Sequence, residues 1–158
     1  MLETNQPTMN PNVPVSDIMT RSVITVNPDD KLPKIRELFV KNNFHHLPVV
    51  ENGTLIGIIS REDFLRVYYD LSRQTTGKTW SDKSFVHLNA SGIMTKDPMI
   101  LDPEDSIGLA ADVFLANKFH SLPIVEDGVL TGIVTVHDLL AFSFNSPVET
   151  GKETEFEE

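Results

Sequence analysis

The sequence predicts an α+β protein made of two β-α-β-β-α repeats, packed sheet to sheet about a pseudo-twofold axis. Three observations predict it. First, "HHLPVVENGTLIGIISREDFL" at 45–65 returns as "HSLPIVEDGVLTGIVTVHDLL" at 120–140, at a constant offset of 75 with no insertion or deletion. Second, aligning Val15–Val67 with Ala90–Phe142 leaves 20 of 53 positions identical. Two copies without a third argue for paired halves and against a solenoid. Third, the apolar spacing inside each copy changes between strand and helix period at matching places.

The elements come in order. "VITVNPDD" at 23–30 reads as a short strand ending in a turn, with Asp29 or Asp30 able to cap the next helix. "KLPKIRELFVKNN" puts Leu32, Ile35, Leu38 and Phe39 at helical spacing, and Ile107, Ala110, Val113 and Phe114 match them. Next come "LPVV" and "LIGII", joined at Asn52-Gly53, or at Asp127-Gly128 in the second copy. Such a pair between two apolar runs is a strong hairpin signal. Gly57 and Gly132 fall inside strands, where glycine marks close backbone approach. A last helix starts after Ser60 and after Thr135.

One repeat of about 53 residues is marginal by itself, so each half is expected to complete the other's core. The organisation read from the chain is a flexible arm at 1–13, repeat one at 14–68, a linker at 69–89, repeat two at 90–143 and a disordered acidic tail at 144–158. The linker carries the only tryptophan, Trp80, for which two readings stand, a cover over exposed apolar surface or a direct contact with a ligand.

Composition narrows the function. The net charge is −10, which disfavours nucleic acid as a partner. There is no cysteine, so disulfides and thiolate sites are excluded and a reducing cytoplasm fits. No run reaches the ~20 apolar residues of a membrane span, and the N-terminus lacks the pattern of a secretory signal.

"SRED" at 60–63 and "TVHD" at 135–138 have the pattern of a capping box. The same geometry offers helix N–H groups to a phosphate, and a fixed carboxylate to a ribose diol. The residues alone leave both uses open. Histidines 45, 46 and 120 precede the "LP" strands; adjacent strand residues point to opposite faces, so His45-His46 makes a poor metal chelate, and no metal site is expected.

The paired "IMT", the "H-x-L-P-V/I-V" strand, the Asn/Asp-Gly turn and "G-I-I/V-S/T-x-x-D" together resemble a tandem of cystathionine β-synthase (CBS) domains over residues 14–143. The resemblance implies a regulatory module that binds AMP, ADP, ATP or S-adenosylmethionine, with or without magnesium, in clefts between the repeats. It also implies a homodimer, a disc of four repeats, that signals to an effector protein in the cytoplasm. No cofactor is required and no membrane is involved. Carried over by position, the resemblance implies that Asp138 holds the ribose hydroxyls in one cleft, with Thr135 near ribose or phosphate, His120 near phosphate, and Thr20 and Ile24 near adenine. His137 stands where it can help hold the phosphate. Asp63, Ser60, His45, His46, Thr95 and Met99 form the other. An Arg commonly follows the motif histidine in the family; here His46 and Ser121 follow, so the fixed phosphate fork is missing. With Glu62 repelling phosphate and His137 attracting it, the Asp138 cleft is expected to bind more tightly. The alternative is a dimerisation scaffold with vestigial clefts. No G-x-S-x-G, P-loop, H-E-x-x-H or G-x-G-x-x-G is present, so no enzyme is expected.

Overall fold

The computed structural model describes residues 9–74 and 87–145. Trp80 and the acidic tail from 146 onward lie outside the described residues. A 3₁₀ turn at Val15–Asp17 comes first. Helix α1 spans Leu32–Lys41, strand β1 His46–Glu51, strand β2 Thr54–Ser60 and helix α2 Arg61–Gln74. The second repeat continues with α3 (Ala90–Ile93), β3 (Thr95–Lys96), α4 (Ile107–Ala116), β4 (Ser121–Glu126), β5 (Val129–Thr135) and α5 (Val136–Asn145).

Each repeat is centred on an antiparallel hairpin, β1–β2 or β4–β5. Asn52 and Gly53 take φ of 50° and 83°, and Asp127 and Gly128 take 50° and 81°. This is the turn in which both central residues are left-handed, as the Asn-Gly and Asp-Gly pairs predict. The two hairpins meet edge to edge at one pair, Thr54–Val129, giving the strand order β1-β2-β5-β4.

The repeats exchange their leading segments. Thr95 and Lys96 of the second repeat pair with Ile58 and Gly57 of β2. In return Thr20 of the first repeat pairs with Ile133 of β5, by N–H···O bonds of 2.9 and 3.0 Å. Upstream, Val15 and Ser16 donate to Asp105 and Pro103 carbonyls, and Ala90 and Ser91 donate to those of Asp30 and Pro28. Two hydrophobic cores result. One gathers Val15 and Met19 with Ile107, Leu122, Ile124 and Val134; the other gathers Ala90 with Leu32, Ile35, Leu47, Val49 and Ile59.

The exchange gives Gly57 and Gly132 their reason. A methyl on Gly132 would lie 2.9 Å from the Thr20 carbonyl oxygen and 2.5 Å from Met19 Sδ. One on Gly57 would lie 2.9 Å from the Thr95 oxygen, with Met94 Cγ at 2.8 Å. In each half the incoming strand crosses directly over the glycine.

Three details differ from the sequence reading. The leading strand "VITV" reduces to one parallel bridge, Val26–Val49, and its counterpart to Leu101–Ile124. Val26 donates to the Pro48 carbonyl and accepts from Val50 N–H. The next ladder bond toward the N-terminus would need an N–H from Pro48, which has none, and Pro123 stops the second copy likewise. Neither Asp29 nor Asp30 caps α1. The N-cap is Lys31 without a side-chain bond, because the Asp30 carboxylate accepts from Asn27 N–H and Lys34 Nζ, each at 2.8 Å. Residues 9–13, read as part of a flexible arm, lie against α4: the Ile107 and Gly108 N–H groups donate to Val13 and Pro11 carbonyls at 2.8 and 2.9 Å.

Candidate functional site

Stopping the leading strand at Val26 leaves residues 22–24, beyond the Thr20–Ile133 bridge, to line a cavity rather than a sheet. That cavity has a volume of about 760 Å³, within the range of small-molecule sites. Its wall combines the 20–24 segment, the 43–46 segment ahead of β1, His120, and the starts of α2 and α5.

The geometry at the α5 start is a complete capping box. Asp138 N–H donates to Thr135 Oγ1 at 3.1 Å, and the Asp138 carboxylate accepts from Thr135 N–H at 2.8 Å. At the α2 start only half forms: Asp63 N–H donates to Ser60 Oγ at 3.0 Å, while the Asp63 carboxylate turns to Arg66, 3.3 Å away. The two quartets are alike in sequence and differ in how their carboxylates are used.

Of the residues singled out from the sequence, Thr20, Ile24, His45, His46, Ser60, His120, Thr135, His137 and Asp138 all line this one cavity. Asp63, Thr95 and Met99 are not in its lining. Thr95 is taken up in the β3–β2 pairing, and Met99 is 50% exposed. Sequence alignment divides the histidines between two clefts by copy. The fold instead brings His45, His46, Ser60 and Glu62 to the cavity that holds Asp138. The apolar part of the wall includes Ile24, which is 42% exposed, with Val23, Phe44, Ile133 and Val136.

Arg61 also reaches the wall and was not singled out from the sequence. Its Nη2 donates to the Phe39, Asn42 and Phe44 carbonyls at 2.8, 2.7 and 3.0 Å, while its Nε is buried without a hydrogen-bond partner. The guanidinium also stacks over the Phe39 ring, 5.6 Å from the centroid. Arg61 therefore ties the end of α1 to the start of α2, a role that a sequence position occupied by Val136 in the other copy could not signal.

Burial lowers the pKa of His46 from 6.5 to about 4, helped by His45 and His120 and opposed by Asp63. Folded protein thus keeps His46 neutral where the unfolded chain would protonate it. The stability this gives is present above pH 6.5 and is lost as pH falls toward 4. Urea unfolding at pH 7 and pH 4.5 should show the folded state losing about 2 kcal/mol through this residue. His46→Ser, which installs the residue found at the equivalent Ser121, should remove that part of the loss. An identical acid loss in the variant would refute the assignment.

A sequence model of the CBS domain matches residues 15–70 and again residues 90–145. The chain belongs to the CBS-domain family. Among its relatives is the uncharacterized protein MJ1225 of Methanocaldococcus jannaschii, 28% identical over 135 residues, which are 83% of this chain and 47% of that protein. The crystal structure of MJ1225 superposes with a TM-score of 0.74, covering 85% of this chain and 49% of that one. Several other curated relatives are likewise much longer than the stretch they share with this CBS pair. The CBS domain-containing protein YhcV of Bacillus subtilis is closer in size: 29% identity over 79% of this chain and 81% of YhcV. CBSX2 of Arabidopsis thaliana, solved in complex with AMP, is 28% identical with a TM-score of 0.68, covering 83% of this chain and 96% of that one. Among the described residues no helix is long and apolar enough to cross a membrane.

Proposed function

We propose that this CBS pair is a regulatory ligand-sensing module that binds an adenine nucleotide, AMP first among them, in the cavity lined by Asp138. The observation that carries the reading is the Thr135–Asp138 box at the start of α5, facing one cavity with Thr20 and Ile24 from the other repeat. In this reading the Asp138 carboxylate takes the ribose hydroxyls. Ile24 and the backbone beside Thr20 take the adenine, and Thr135, His120 and His137 stand toward the phosphate. Ser60, His45 and His46 complete the wall. Asp63, with Thr95 and Met99, is left as a second and weaker position. The AMP complex of CBSX2 supports the choice of ligand. Binding would shift a homodimer of four repeats and so change its contact with an effector protein in the cytoplasm. The rival reading, a dimerisation scaffold, draws on the bonds that already occupy Asp138 in the capping box.

Thermal unfolding with AMP, ADP, ATP and S-adenosylmethionine, with and without magnesium, tests the reading. A ligand at ~100 times its dissociation constant adds roughly 2.7 kcal/mol, which for a chain of this size raises the melting temperature by about 5–10 °C. AMP is expected to give such a rise. No rise with any of the four would leave the scaffold.

A further inference from the structure

The cavity wall brings together four imidazoles, His45, His46, His120 and His137, from both repeats. Every other charged group at the wall is spoken for or of the wrong sign for an anion. Arg61 is bonded to three carbonyls, Asp138 is held by Thr135, and Glu62 is an exposed carboxylate. Asp63 acts on His46 from α2 and is itself paired with Arg66. Among the described residues no group of three or more His, Asp or Glu is arranged to hold a metal ion. Of the Arg61 guanidinium, Nη2 is used on three carbonyls and Nε is buried away from the open space, so the groups that line this space and can become cations by taking up a proton are the imidazoles.

We propose that the histidine cluster makes ligand binding proton-coupled: the anionic group of the nucleotide is held by imidazolium groups that form as it binds, so the module reads acidity together with nucleotide level. The inference rests on the proposed nucleotide site and adds its regulation. Burial, and then the cluster's own mutual repulsion, disfavour the charged form of His46, as its low pKa reflects. An anion reverses the sign of that field. If it lifts one such histidine from about 4 to about 6, affinity for an anion that does not itself titrate, such as sulfate, is about tenfold higher at pH 5 than at pH 7.

The test follows the imidazole C–H resonances of the full chain by NMR from pH 4 to 8, alone, with AMP and with sulfate, an anion that does not itself titrate in this range. Calorimetry of AMP binding in two buffers of different ionisation enthalpy counts the protons taken up. The expected result is a rise of at least one pKa unit for His46 or His120 with either anion, and net proton uptake with AMP. In His120→Asn that uptake should fall. AMP binding with unmoved histidine pKa values and no uptake would overturn the inference while leaving the nucleotide site standing. Histidine shifts with sulfate but no AMP binding at any pH would keep the anion cluster and sink the adenine reading. No shift with either anion and no AMP binding would sink both.

Discussion

Gly132→Ala is expected to cost about 3 kcal/mol of folding stability, a large share of the roughly 5–15 kcal/mol that holds a domain together. The added methyl meets the Thr20 carbonyl at 2.9 Å and Met19 Sδ at 2.5 Å. Met19 could swing away, but the Thr20 backbone cannot. It is fixed by two hydrogen bonds to Ile133, the very next residue of the strand that the methyl stands on. Relief requires breaking those bonds or displacing Met19 from the core. Gly128→Ala is the comparison. No atom lies within 4 Å of its added methyl, but its φ of 81° is costly for alanine, by about 1 kcal/mol. Urea denaturation of both variants should therefore separate them by about 2 kcal/mol. Equal losses would mean that the crossing strand is looser than 2.9 Å implies.

The second large effect concerns ligand binding. Asp138→Ala is expected to weaken AMP binding about 100-fold, the loss of two charge-assisted hydrogen bonds, whereas Asp63→Ala should change it less than about threefold. The difference comes from position. Asp138 lines the cavity with Thr20 and Ile24, and Asp63 does not. Because Asp138→Ala also removes half of a capping box, worth about 1 kcal/mol, Asp138→Asn is needed beside it. The amide oxygen can still accept from Thr135 N–H, so the helix start is kept while the charge on the ribose is lost. Calorimetric titration of the three variants decides. Equal losses in Asp63→Ala and Asp138→Ala, or a larger one in Asp63→Ala, would shift the site away from Asp138.

Much of the fold was legible in the residues because its signals are local. Asn52-Gly53 and Asp127-Gly128 specify their turn through two left-handed residues, and Ser60 and Thr135 mark the helix starts by what their hydroxyls bond. Gly57 and Gly132 announced a close approach, but not by which strand. The exchanged segments were not legible. Thr20 pairs with Ile133 across 113 residues of chain, and no local pattern selects that partner over one in its own repeat. The short leading strand was misread for an opposite reason. "VITV" has every strand preference, and what stops it is the absent N–H of Pro48 on the neighbouring strand. The site was legible as a set of residue types and not as a grouping. An alignment of copies sorts His45 and His120 into separate clefts, whereas the fold turns both toward one space.

The exchange of leading segments has one more consequence. The molecule has the topology of a domain-swapped dimer written into a single polypeptide: residues 13–20 belong with α4 and β5, and residues 88–96 with α1 and β2. Among the described residues, the halves are joined by these swapped segments and the Thr54–Val129 pair. Because one polypeptide carries both interlocking pieces, their joining is an intramolecular event. Two halves made as separate chains would have to meet in a bimolecular step before either described core gained its Val15 and Met19, or its Ala90.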